Sequence, residues 1–139
     1  MRPVLLDAGV IVALLDRSEW HHARCVAVVE GLERALVTCE AVIAESCYLL
    51  RRLPGAAEAV LENVERGFFL VPFQLSQSVA EVRGLLRKYR DGPADFADAC
   101  LIRLADQLST GDILTLDRDF HYYRWRRTRA FRFLIDLES

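Results

Sequence analysis

At 139 residues the chain suits one compact domain, residues 1–139, and leaves little room for two. A hydrophobic content of 53% excludes a disordered chain, and no apolar run approaches the roughly 18 residues that suggest a membrane span. The net charge of −2 gives no bulk attraction to nucleic acid.

The N-terminus, "MRPVLLDAGV", carries a charge at Asp7 inside what would have to be the apolar stretch of a signal peptide, so a cytoplasmic protein is expected. "PVLL" reads as a first strand ending at Asp7, and "GVIVALL" continues as an apolar helix. "HHARCVAVVEGLE" has helical periodicity. "ALVTC" is a second strand leading into the helix "EAVIAESCYLLRRL", which Pro54-Gly55 stops. "AAEAVLENVERG" is a helix with Gly67 at its end, and "FFLVPF" a third strand. Ser76 is the expected cap of the helix in "SQSVAEVRGLLRKYR", which stops near Asp91-Gly92-Pro93. "DFADACLIRLADQLS" is a helix closing before Gly111, and "DILTL" and "FRFLID" are the last strands.

Strands alternating with helices predict an α/β domain with a parallel sheet covered on both faces. The four cysteines, Cys25, Cys39, Cys47 and Cys100, form no CxxC pair and sit among apolar neighbours. They read as small buried side chains in a reducing compartment rather than as zinc ligands or a disulfide framework.

In such sheets ligands bind at the carboxyl ends of the strands, and several acidic residues fall there. Asp7 follows the first strand and Asp117 the fourth. Glu45 lies about two turns into the helix after the second strand. Asp95 and Asp98 lie at the start of the helix before the fourth. Asp7 and Asp95, each taken alone, read as helix caps, and Asp119 as an exposed turn residue. Asp98 is different, because it shares an apolar stripe with Leu101, Ile102, Ala105 and Leu108. Glu45 repeats that pattern with Val42 and Leu49. Carboxylates converging on one edge repel one another unless a cation neutralises them. Oxygen ligands without a His or Cys cluster favour Mg²⁺ or Mn²⁺, ions that serve phosphoryl chemistry.

The fragments "LLDAGVIVALLD", "VTCEAVIAES", "DFADACLIRLA" and "ILTLDRDF", in this order and spacing, resemble PIN-domain ribonucleases, most of all the VapC toxins of bacterial toxin–antitoxin pairs. The resemblance covers nearly the whole chain. It implies a three-layer α/β/α fold with a five-stranded parallel sheet of order 3-2-1-4-5. It also implies hydrolysis of single-stranded RNA at an acidic pocket holding Mg²⁺ or Mn²⁺. By position Asp7, Glu45, Asp98 and Asp117 form the acidic quartet, Asp95 an additional ligand, and Thr115 helps to orient water or a ligand. Homodimers, and a small antitoxin whose tail wraps the toxin, are implied as partners. The pair His21-His22 resembles a frequent feature of the family and reads as structural.

The C-terminal segment "YYRWRRTRAFR" carries two readings. Arg124, Arg126 and Arg127 would hold the RNA backbone, with Tyr122, Tyr123 or Trp125 stacking on bases. Alternatively the segment is a solvated loop whose aromatics pack on the core; a further use for its arginines is a dimer or antitoxin interface. Other enzyme classes fit less well. A haloacid-dehalogenase-like phosphatase needs an Asp where Gly9 stands, and a receiver domain needs a lysine at the end of a late strand, whereas Lys88 lies in a helix. A catalytically silent PIN-like module that binds RNA or protein is the rival of a different class, and DNA cleavage by the same site stays open.

Overall fold

The computed structural model describes residues 1–136; residues 137–139, the expected end of the domain, lie outside the described part. Its centre is the apolar run Val4–Leu6 (β1), whose side chains have no solvent exposure. Beside it pair Leu36–Val37 (β2) and, at its far side, Phe69–Leu70 (β3). On the opposite flank lie Asp112–Leu114 (β4) and the edge strand Arg132–Phe133 (β7). All four pairings are parallel, and the order is β3-β2-β1-β4-β7. This is the expected 3-2-1-4-5 order, except that the fifth strand of the sheet comes seventh in the chain.

The intervening pair is Arg124–Trp125 (β5) and Arg129–Ala130 (β6), an antiparallel hairpin outside the main sheet. Its turn places Arg126 at φ 44° and Arg127 at φ 71°, both in the left-handed region. Such turns favour Asn-Gly, and a left-handed residue with a side chain costs roughly 1–2 kcal/mol. Local contacts offset that cost. The Arg126 amide donates to Asp106 Oδ1 at 2.5 Å, its guanidinium donates to Ser109 Oγ, and Arg126 and Arg129 lie over the Trp125 ring at 5.7 and 5.1 Å. The "YYRWRRTRAFR" segment is therefore a hairpin rather than an irregular loop: Tyr123 and Trp125 pack on the core, as the second reading expects, and residues 126–130 are exposed.

Helices Ala8–Leu15 (α1), His22–Gly31 (α2), Glu40–Leu49 (α3), Ala56–Glu65 (α4), Val79–Lys88 (α5) and Phe96–Leu108 (α6) flank the sheet. The apolar stripe of α6 is as expected: Leu101, Ile102 and Ala105 are buried. His22 Nδ1–H donates to the Ala13 carbonyl at 2.6 Å and ties α2 to α1, a structural role. Cys25, Cys39 and Cys100 are buried, Cys47 is half-buried, and all four are free thiols. Ser76 does not cap α5. Leu75–Gln77 forms a 3-10 turn and α5 starts at Val79. The adjacent Ser78 hydroxyl is buried and accepts from Arg103 Nε and Gln107 Nε2 at 3.2 and 3.1 Å, so α6 fixes where α5 begins.

The start of β4 and the hairpin meet at Gly111, where a Cβ would stand 2.0 Å from Trp125 Nε1 and 2.6 Å from Cε2. Gly111→Ala should therefore force Trp125 and the hairpin outward and cost about 1–3 kcal/mol, the usual range for overpacking. Urea denaturation followed by circular dichroism measures this; stability equal to wild type would mean that the indole does not pack here.

Candidate active site

Asp7 leaves the end of β1 and both caps α1 and faces the site. Its Oδ1 accepts from the Ala8 amide at 2.8 Å and its Oδ2 from Thr115 Oγ1 at 2.7 Å. Thr115, just past β4, has no exposure, and its oxygen also accepts from the Asp117 amide at 3.0 Å. With its hydrogen spent on Asp7, Thr115 positions two carboxylates, which agrees with the ligand-orienting half of its expected role. Asp117 in turn accepts from the Asp119 amide at 2.9 Å, which explains Asp119 as a turn residue beside the site.

At the start of α6, Asp95 and Asp98 form a reciprocal capping box. The Asp98 amide donates to Asp95 Oδ1 at 2.9 Å and the Asp95 amide to Asp98 Oδ2 at 3.3 Å. The Tyr123 hydroxyl donates to the same Asp98 Oδ2 at 3.1 Å. Sequence reasoning missed that contact, because the two residues lie far apart along the chain and Tyr123 read as a base-stacking residue. Tyr123 is fully buried, edge-on to Phe120 and tilted on Tyr89.

Asp7, Glu45, Asp95, Asp98 and Asp117 line one cavity of about 330 Å³, closed by Leu49, Pro93 and Leu116. Asp7 and Asp98 are buried, Asp117 is half-buried, and Asp95 is exposed. Glu45 is exposed too, against the expected apolar stripe, because Leu49 one turn on is itself half in solvent.

Burial raises the Asp7 carboxyl above its ordinary range; the bonds from Thr115 and Ala8 oppose this, and the charges of Asp117 and Asp95 add to it. Partial desolvation beside the other carboxylates, and then the charges of Asp7, Asp95 and Asp117, raise Glu45 although its side chain is exposed. Burial and Asp95 push Asp98 up to about 7. Asp117 is raised by burial and by Asp119. Asp112, at the opposite end of β4, behaves in the other sense. Burial would raise it, but hydrogen bonds from Arg132 and Arg34, at 2.6 to 3.1 Å, hold it below the usual range.

The five carboxylates offer only hard oxygen donors, a set that suits cations such as Mg²⁺ or Mn²⁺. Among the described residues no three His, Cys, Asp or Glu side chains already sit close enough to enclose an ion, so a cation would have to draw them inward.

The C-terminal arginines are elsewhere. Arg124 Nη1 donates to the carbonyls of His121 and Tyr123 at 2.7 and 2.9 Å, a structural use. Arg126 and Arg127 occupy the hairpin turn at the C-terminal end of α6. From Asp98 to Asp106 that helix rises about 12 Å, at about 1.5 Å per residue. Of the three candidate stacking aromatics, Tyr123 and Trp125 are buried and Tyr122 is exposed.

Residues 4–126 match the PIN domain family. A curated relative, Ribonuclease VapC26 of Mycobacterium tuberculosis, is 30% identical over 134 residues, covering 95% of this chain and 98% of its own. The crystal structure of Mycobacterium tuberculosis VapC20, described as a Sarcin-Ricin loop cleaving toxin, superposes with a TM-score of 0.80 at 18% identity, covering 91% of this chain and 98% of that one. Among the described residues no helix is long and apolar enough to cross a membrane. The family match over most of the chain, the relative that spans it almost end to end, and the acidic cavity at the strand ends agree: this chain is a VapC-like member of the PIN-domain family.

Proposed function

We propose that the protein is an endoribonuclease dependent on Mg²⁺ or Mn²⁺ that hydrolyses phosphodiester bonds of single-stranded RNA. The observation that carries this reading is the set of five carboxylates lining one cavity, with raised proton affinities at Asp7, Glu45, Asp98 and Asp117. Such a set is unfavourable to the fold and suited to a cation. Asp7, Glu45, Asp98 and Asp117 would hold the ion, with Asp95 beside them. The ion would supply Lewis acidity and activation of water for in-line attack on phosphorus. The protein's own part is to hold those carboxylates: Thr115 and the Ala8 amide fix Asp7, the Asp119 amide fixes Asp117, and Tyr123 fixes Asp98. No Ser, Cys or His nucleophile is needed.

We further propose that residues 1–139 form one PIN-like domain and that the protein works in the cytoplasm as a homodimer. It would be the toxin of a toxin–antitoxin pair, its small antitoxin placing an Arg or Lys against the carboxylates. Arg126 and Arg127, and Arg124 to the extent that its carbonyl partners release it, would contact RNA only at phosphates remote from the cleaved bond.

Purified protein mixed with an RNA pool and Mn²⁺ should cleave it, and EDTA should abolish cleavage. Asp98→Asn should remove activity without unfolding the protein. Thr115→Val should lower activity by about 10–100-fold, the usual cost of losing a bond that orients a metal ligand. Full activity in EDTA, or an active Asp98→Asn protein, would sink the mechanism.

A pH prediction needs no substrate. A carboxyl raised from 3.8 to about 7 in the fold stabilises it fully below the unfolded value, and that stabilisation is lost as pH rises through about 7. In metal-free protein at about pH 8, Asp98→Asn should therefore melt above wild type, with the gap closing toward pH 4. Mn²⁺ should raise the wild-type Tm and leave the variant nearly unmoved. A variant less stable than wild type at the higher pH would mean that Asp98 is paired for stability.

Expression alone should arrest growth of a bacterial host, and co-expression of the neighbouring small open reading frame should relieve it. Harmless expression in a host where RNA cleavage is confirmed would count against the toxin role.

A further inference from the structure

A second cavity, of about 340 Å³, draws on the same two helices as the acidic one and shares no lining residue with it. Its floor is formed by Cys39, Cys100 and Phe73, all buried, and its rim includes Phe96, which is 44% exposed, with Gln74 and Glu40. Two helices supply both cavities. In α6, Asp95 and Asp98 line the acidic cavity while their neighbours Phe96 and Cys100 line the second. In α3, Glu45 lines the first and Glu40 the second. The first turn of α6 is thus the wall between them.

The acidic cavity includes no arginine or lysine in its lining. Arg124 is engaged by backbone carbonyls, and Arg126 and Arg127 lie by the far end of α6. Little positive charge from these groups reaches the phosphates on either side of a bond being cleaved. A base stacking on an aromatic face grips a strand without net charge, and that contact is open to single strands whose bases are unstacked.

We infer that the second cavity seats one nucleobase of the RNA strand, flanking the cleaved phosphate, with its ring against Phe96 and its polar edge toward Glu40 and Gln74. The cavity's size lies within the roughly 300–1,000 Å³ of ligand pockets. Its make-up, apolar floor and aromatic wall with an acceptor-only carboxylate and an amide at the rim, matches a flat ring with a hydrogen-bonding edge. The inference rests on the ribonuclease reading and adds where the strand is gripped and by what.

The test begins with wild-type protein and Mn²⁺, mapping cleavage sites on a mixed RNA pool. One cleaved sequence is then synthesised with a single abasic residue moved through the positions on both sides of the bond. At one of these, base removal should raise the wild-type KM about tenfold, the order expected for a lost base–aromatic stack, with a smaller effect on kcat. Phe96→Ala should show a similar rise on intact RNA and no further rise on the abasic RNA, while Phe96→Tyr stays like wild type. The Mn²⁺-dependent Tm gain should persist in all three proteins. If Phe96→Ala does not fold, Phe96→Leu replaces it in the same comparison. Indifference of the wild type to base removal at every flanking position, or a Phe96→Ala protein as sensitive to it as wild type, overturns the base seat and leaves the ribonuclease reading standing. Absence of cleavage of any RNA overturns both.

Discussion

The hydrogen bond from Thr115 to Asp7 joins the ends of the two central strands, and the site is arranged around it. Asp7 follows β1 and Thr115 follows β4, so the bond closes the carboxyl edge of the sheet where its buried core ends. The same threonine oxygen receives the Asp117 amide, which sets a second carboxylate beside the first. One buried hydroxyl thus holds two groups that repel each other. A partnered hydroxyl is tolerated in the interior, whereas an unpartnered one carries a desolvation penalty, so the position is strongly constrained.

Charge is handled in opposite ways at the two ends of β4. At its start Asp112 sits between Arg34 and Arg132 and is held ionised by them. Past its end the carboxylates of the cavity are raised by burial and by one another. A single strand only three residues long therefore runs from a neutralised cluster to an unneutralised one. Stability alone explains the first arrangement and not the second.

The parallel sheet was legible because strands buried on both faces read as near-continuous apolar runs, as "VLL" and "DIL" do. Asp7 and Asp117 were legible because they close those runs, and Asp98 because it stands on an apolar helical stripe. Asp7 and Asp95 also show why a cap and a cavity-lining carboxylate need not be alternatives, since each caps its helix and lines the acidic cavity. Other features left no local trace. Arg126-Arg127 lacks the Asn-Gly signal of a tight hairpin, and its turn is held by Asp106 and Ser109 from another element. The roles of Thr115, Tyr123 and Ser78 depend on partners far along the chain, so neither periodicity nor spacing reveals them. Glu45 lines the cavity as expected, but its exposure was not legible: a helical stripe predicts which side chains share a face, not whether anything covers it.

The hairpin's packing also gives the protein an optical asymmetry. Its two tryptophans are Trp20, 87% exposed at the turn between α1 and α2, and Trp125, 5% exposed against Gly111. Intrinsic emission is therefore the sum of a red-shifted component open to iodide or acrylamide and a blue-shifted one shielded from both. Selective quenching separates the two without any label. The shielded component comes from the end of α6 opposite the carboxylates, so it registers whether an event at one end of that helix is felt at the other.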